Sequence, residues 1–292
     1  MTRTDLDGEL LSRARQGHGL SADDLHRIDQ HNVLSLGMLA DEVRRSVRGP
    51  SVTVRRVATV PSAGIGAEWT RMTEGADEVR ISHIPDSREA TLTLVTTVRA
   101  ATPETLPVWG FSLEQLTRAS WFCGRGDLEA LAASGLTGVV DAAVDVVSPT
   151  QVAEVFEAGL AVGLLSVEQP VMGDRVLFVE GLLRFLAAES RVRRVAPLPK
   201  QVPVATPTTG YQDVRLVAMT TIGLPMLEHV VVDWLQYGPK LAQVALTFGA
   251  TYLDNVSTVD DPALGRRRTH LEDVRRNITA AGLTPAERTD AA

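Results

Sequence analysis

From Val52 to Ala280 the chain alternates short β-branched or apolar runs with amphipathic helical stretches, and this alternation constrains its fold more than any other feature. Strands are expected at Val52–Val60, Glu78–Ile84, Thr91–Val98, Gly138–Val147, Ala161–Val167, Val192–Leu198, His229–Trp234 and Thr251–Val256. Helical spacing falls between most of them, at Leu113–Ser120, Leu128–Ala133, Thr150–Ala158, Val176–Ala188, Gln212–Thr221 and Lys240–Phe248, and again at Leu271–Ala280. The clearest helix start follows Gly238-Pro239, where proline suits the first helical position. Strands alternating with helices pair in parallel, because each helix carries the chain back across the sheet. Eight such units predict an α/β fold, a TIM-type (β/α) barrel, which takes about 250 residues.

Ahead of the barrel, Ser21 and Asp24 read as a capping box, Leu36, Leu39, Val43 and Val47 recur at helical spacing, and Gly49-Pro50 stops the pattern. Residues 1–50 are therefore expected to form an N-terminal helical extension, 51–284 the barrel, and 285–292 a disordered tail. Two connections break the regular pattern. Only Pro85–Ala90 separates the second and third expected strands, whereas a parallel crossover needs about a dozen residues. Pro61–Ala76 has room for one short helix. The N-terminal part of the barrel is accordingly expected to be trimmed or irregular. The longest loop is expected over Ala196–Thr209, which holds Pro197, Pro199, Pro203 and Pro207.

Composition removes several functional classes. With 44% hydrophobic and 22% charged residues the chain can bury a full core, and no apolar run approaches the roughly 18–20 residues of a membrane span. A net charge of −7 argues against a nucleic-acid partner, and Asp5, Asp7 and Glu9 argue against a secretory leader, so a cytoplasmic location is expected. Cysteine is the most decisive count. Cys123 stands alone, which excludes an intramolecular disulfide and a Cys-type zinc site and argues against an iron–sulfur cluster, which takes three or four thiolates. No metal site is expected: His26 and His31, five apart, share no helix face.

Several stretches resemble one radical S-adenosylmethionine subfamily, that of aminofutalosine synthase, dehypoxanthine futalosine cyclase and the deazaflavin (FO) synthase subunits. They are LSADDLHRIDQHNVLSLGMLADEVRR (Leu20–Arg45), GADEVRISHIP (Gly75–Pro85), LEALAASGLTGVVDAAVDVVSP (Leu128–Pro149) and EHVVVDWLQYGPKLAQVALTFGATYLDNVSTVDD (Glu228–Asp261). The likeness is strongest at the two ends. It implies a barrel, and in active members a CxxxCxxC motif after the first strand whose thiolates hold a 4Fe–4S cluster. Here that stretch, Pro61–Met72, reads PSAGIGAEWTRM and has no cysteine. The family's cofactor-contacting turn after the second strand is His83-Ile84-Pro85, and its next glycine-rich run is Asp141-Ala142-Ala143. The resemblance thus implies a degenerate member with no 4Fe–4S cluster and no expected cofactor, S-adenosylmethionine remaining an open alternative.

In such barrels chemistry sits where strands end. That rule selects His83, Arg99, Asp141, Asp145, Glu168, Gln169, Lys200, Asp233, Tyr237, Asp254 and Asn255. Asp141 and Asp145, four apart, would share one strand face, and with Glu168 they are the candidates for acid–base catalysis; solvated strand-end aspartates are the alternative. His83 would bind a metal or shuttle protons if it is not merely structural, and Lys200 would pair with a carboxylate or phosphate of a ligand or lie on the surface. Asp254-Asn255 stands where the family has an aspartate–glycine pair, or is a turn after the last strand. Arg266-Arg267-Arg268 is a solvated run or a partner contact. Three functions stay open: an accessory or regulatory subunit binding an active radical S-adenosylmethionine paralogue or an intermediate of menaquinone (futalosine) or deazaflavin biosynthesis; a repurposed non-radical enzyme acting on a small polar or nucleoside-like substrate; and a cluster-free binder of S-adenosylmethionine or a nucleoside. A homodimer is an alternative partner arrangement.

Overall fold

The computed structural model describes residues 20–259 except 62, 63, 172, 203, 205 and 206, together with 271–286 and residues 8, 9, 12, 13, 16 and 18. Pro203, Arg266–Arg268 and the tail from 287 lie outside these described residues.

The capping box at Ser21–Asp24 is present and starts α1 (Ala22–Asp29). Asn32 caps a second helix, α2 (Val33–Arg48), which ends where Gly49 takes a φ of 76°. The barrel follows as β1 (Ser51–Thr59), α3 (Trp69–Thr73), β2 (Glu78–Ile81), α4 (Arg88–Ala101), β3 (Val108–Gly110), α5 (Leu113–Arg118) and α6 (Arg125–Ala133). Next comes β4, in two pieces (Gly138–Val139 and Ala142–Ala143), then α7 (Pro149–Glu157), and β5, also in two (Ala161–Val162 and Leu165–Val167). The remainder is α8 (Arg175–Ala188), β6 (Arg194–Pro199), α9 (Gly210–Gly223), β7 (His229–Asp233), α10 (Trp234–Thr247), β8 (Tyr252–Ser257), α11 (Leu271–Ala280) and β9 (Thr284–Pro285).

Every neighbouring pair from β1 to β8 is parallel, and β8 returns to β1 through Thr53↔Tyr252 and Val54↔Leu253, so the eight strands close into a (β/α) barrel. The register slips between Val54 and Arg56, where β1 spends one residue and β8 two. That extra residue is a β-bulge at Asp254-Asn255, with Asn255 at a φ of 58°. β9 pairs with the start of β1.

Alternation along the strands sorts side chains into two layers. Val79 and Ile81 of β2 are buried in the layer between sheet and helices, each contributing about 1.5–3 kcal/mol, whereas Glu78 and Arg80 of the same strand point into the lumen. α1 and α2 pack outside the barrel against α8, α9 and α10, where Asp29 pairs with Arg175 at 3.0 Å and Arg48 donates to the carbonyls of Leu224 and Leu227.

One expectation near the start is overturned. Thr91–Val98 is helical, inside α4, and is the crossover that looked missing; the third strand is the short Val108–Gly110. Thr91, Val95 and Val98 form its buried stripe, Ser87 caps it, and the Thr91, Thr96 and Thr97 hydroxyls donate to carbonyls four residues back. Burial of that stripe outweighs the β-branched propensity, and the hydroxyl bonds keep the threonine side chains satisfied within the helix. The irregularity expected between the first two strands is present, since α3 has 5 residues. In α10 the chain leaves helical geometry at Gly238, with a φ of 70°, and restarts at Pro239.

Candidate active site at the barrel mouth

The C-terminal ends of the strands open into a cavity of about 580 Å³. One wall is built around Lys200, the residue after β6. Its backbone is pinned twice: the amide donates to Val167 O (2.8 Å) and the carbonyl accepts from Gln236 Nε2 (3.0 Å). The Lys200 ammonium contacts Glu114 and lies 2.8 Å from Asp141 Oδ2 and 3.6 Å from Glu168 Oε2. All three carboxylates are buried. Each is fixed by its own neighbours. Glu114, in the first turn of α5, accepts from the Ala143 amide; Glu168 accepts from Arg118 (3.1 Å) and Gln201 (2.6 Å); the Asp141 carbonyl accepts from the Leu113 amide.

Burial moves Asp141 and Lys200 toward their uncharged forms. It raises Asp141 to about 6, against the opposing Ser166 hydroxyl and Arg80, and pulls Lys200 down to about 8. An acid and an amine that both change charge near neutral pH sit in contact.

The opposite wall is held by Arg80. Its guanidinium forks onto Asp254 (2.9 and 2.7 Å) and reaches Glu78 (2.5 Å), which stays within 3.4 Å of Arg55. Burial opposes the Arg80 charge, and Asp254 and Glu78 overcompensate, raising it well above its ordinary value. The bulge turns Asn255 so that its Nδ2 donates to Asp233 Oδ2 at 3.0 Å. Burial raises Asp233 to about 6, although it also accepts from the Gln236 amide (2.7 Å) as the cap of α10. Tyr237 lines the cavity and donates to Pro199 O at 2.5 Å, with its phenol raised by burial.

Asp141, Glu168, Lys200, Asp233, Tyr237, Asp254 and Asn255 therefore meet around one cavity. Asp145 does not join them. Strand geometry ends at Ala143, so the two-residue period stops before it; its carboxylate accepts the Glu168 and Gln169 amides (2.8 and 3.0 Å) and shapes that loop. Gln169 is exposed and pairs with Gln201. His83 is exposed outside the cavity. Arg99 sits in α4, donating to the carbonyls of Leu106, Thr102 and Pro103, because the strand that would have ended beside it is a helix. Glu114 and Arg80 were not anticipated. Glu114 follows β3 by four residues, so the strand-end rule reaches it once β3 is placed correctly; Arg80 is signalled only by the alternation of Glu78-Val79-Arg80-Ile81.

No known family profile matches the chain, and no curated protein matches it. Among solved structures it superposes on methylornithine synthase (PylB) with a TM-score of 0.69 at 13% identity, covering 95% of this chain and 97% of that one. HydG, a maturase of the FeFe-hydrogenase, gives 0.68 at 10% identity over 99% and 77% of the two chains. A truncated 3-deoxy-D-arabino-heptulosonate 7-phosphate synthase from Thermotoga maritima gives 0.51 at 12% identity over 82% and 91%. What they share with this chain is the TIM-type barrel.

The donor set does not fit an iron–sulfur cluster. Residues 61–72 after β1 contain no thiol, and Cys123 is exposed in the connection between α5 and α6. Among the described residues no cluster of His, Cys, Asp and Glu is arranged to hold a metal ion, and no helix is long and apolar enough to cross a membrane.

A pH effect follows from the raised aspartates. With folded values near 6 against 3.8 unfolded, Asp141 and Asp233 contribute stability that is fully present below about pH 4 and lost as pH rises through 6. Asp233→Asn keeps the helix cap and is expected to flatten the melting-temperature slope between pH 4 and 6 and to raise the value at pH 7. A slope identical to that of the unmodified chain would mean that Asp233 ionises there without penalty.

Proposed function

We propose that this barrel binds a small polar or nucleoside-like molecule at its mouth and acts on it by non-radical acid–base chemistry. The observation that carries the reading is the contact of Lys200 with Glu114, Asp141 and Glu168 inside the 580 Å³ cavity. Asp141 would take and return the proton, the Lys200 ammonium would hold its charge in place, Glu168 would hold Lys200, and Arg80, Asp254 and Asp233 would bind polar groups of the ligand. The ancestry proposed is that of the radical S-adenosylmethionine enzymes of the aminofutalosine synthase subfamily. The superposition on methylornithine synthase and HydG, both radical S-adenosylmethionine enzymes, supports the broader part of it. On this reading the protein is cytoplasmic, needs no cluster or other cofactor, and touches neither nucleic acid nor membrane.

Two measurements test it. Anaerobic reconstitution with iron and sulfide is expected to leave no stoichiometric cluster absorbance; a stoichiometric cluster overturns the cluster-free reading. Conversion of a panel of nucleosides, aldoses and keto acids, followed by mass spectrometry, is expected to fall about 10²–10⁴-fold in Asp141→Asn. An unchanged rate sinks the acid–base role.

A second reading has its own support. Leu34 and Met38 are 73% and 75% exposed on one face of α2, in the extension outside the barrel, as an accessory subunit in menaquinone or deazaflavin biosynthesis would require for docking on an active paralogue. Co-purification with a three-cysteine paralogue, lost in Met38→Glu, is the result expected of that subunit.

A further inference from the structure

The chain has two lysines, and they stand in opposite environments. Lys240 is exposed on α10, whereas the Lys200 side chain is 29% exposed and faces the cavity from a backbone held by β5 and α10. A partly buried amine that gives up its proton near pH 8 is a nucleophile at a pH where a surface lysine is almost wholly protonated. Lys200 also has what an amine needs to condense with a carbonyl. Asp141 lies 2.8 Å away, able to hold a proton and return it, and there is open volume in front of both groups.

We propose that Lys200 forms a Schiff base with an aldehyde or ketone that enters the barrel mouth. The inference rests on the acid–base reading of that mouth and names its substrate class. The Lys200 ammonium passes a proton to the Asp141 carboxylate, and the free amine attacks the carbonyl carbon. A C–N bond forms as the carbonyl π bond breaks, and the oxygen takes the proton held by Asp141. Asp141 then removes one proton from the nitrogen and returns it to the hydroxyl, which departs as water while the nitrogen lone pair closes the C=N bond. One ammonium and one carbonyl give one protonated imine and one water, Asp141 ends as it began, and no oxidant or reductant is used. The carboxyl groups of Glu114 and Glu168 lie beside the nitrogen and stabilise the iminium.

The test uses the full chain with pyruvate, glyceraldehyde or pyridoxal 5′-phosphate as the carbonyl probe and sodium cyanoborohydride to reduce the imine, followed by peptide mass spectrometry. Lys200 is expected to be labelled roughly tenfold or more over Lys240 at pH 8, with a yield that rises through a midpoint near 8. Lys200→Arg, shown to be folded by circular dichroism, is expected to lose that label and keep the weak one at Lys240. Equal labelling of the two lysines, or no label at Lys200 with any of the three probes, overturns the proposal. The two failures are separable. If Lys200 is not labelled while Asp141→Asn still abolishes turnover, the Schiff base is wrong and the acid–base site stands; if Asp141→Asn leaves turnover intact, the reading beneath it falls as well.

Discussion

Arg80→Met is expected to cost about 3–5 kcal/mol of folding stability, because it leaves buried Asp254 without its cation and leaves buried Glu78 with Arg55 alone. Among the described residues the Arg80 guanidinium alone bonds both Asp254 oxygens, and it also closes on Glu78. Methionine matches the length of the arginine stem and supplies no charge, so the loss reports the ion pairs rather than a cavity. At roughly 2–4 °C per kcal/mol for a chain of this size, the melting temperature is expected to fall by about 6–20 °C. Urea unfolding at pH 7.5 measures the difference directly. The deficit is expected to shrink as pH falls, because a protonated carboxyl needs no cation. A loss below about 1 kcal/mol would place Asp254 and Glu78 in contact with water rather than in a closed lumen.

Gly138→Val is expected to be as damaging, for a steric reason. A Cβ at Gly138 would lie 2.3 Å from the Ala161 carbonyl oxygen and 2.7 Å from Cζ3 of Trp109. The first of these atoms belongs to the backbone of the paired strand β5, which cannot yield without opening the β4–β5 seam that completes the ring. Gly163 meets the Val140 carbonyl oxygen in the same way at 2.4 Å, so the close approach is reciprocal. The expected outcome is a loss of about 3 kcal/mol or more, seen as reduced soluble yield and a lower denaturation midpoint. Gly181→Ala is the matched control. It lies within α8 with nothing near its missing Cβ, and is expected to stabilise by about 0.5–1 kcal/mol. If Gly138→Val behaves like Gly181→Ala, the strands at that seam are farther apart than the structure has them.

The contrast between Lys200 and Asp145 shows how far the candidate site was legible. Both were selected by lying just past an expected strand. Lys200 reaches the cavity because β6 ends at Pro199 with its direction intact. Asp145 fails because β4 breaks at Val140-Asp141 and stops at Ala143, after which a turn, not the strand period, decides where side chains point. Arg99 failed for a related reason. Thr91–Val98 is as compatible with a strand as with a helix by composition, and only packing of Thr91, Val95 and Val98 against the sheet selects the helix. Misplacing that element hid β3 and, with it, Glu114.

Local features were readable from the sequence because their physics is local. The cap at Ser21, the helix start at Pro239, the alternation that predicts a parallel barrel, and the missing thiols after β1 depend on residues a few positions apart, or on residue type alone. The meeting of Lys200 with Glu114, Asp141 and Glu168, and of Arg80 with Asp254, was decided by tertiary structure. Lys200 and Glu114 are 86 positions apart and Arg80 and Asp254 174, and no periodicity links them. Closing the eight strands brings their ends to one mouth, and burial there, not residue identity, moves Asp141 and Lys200 toward neutral pH.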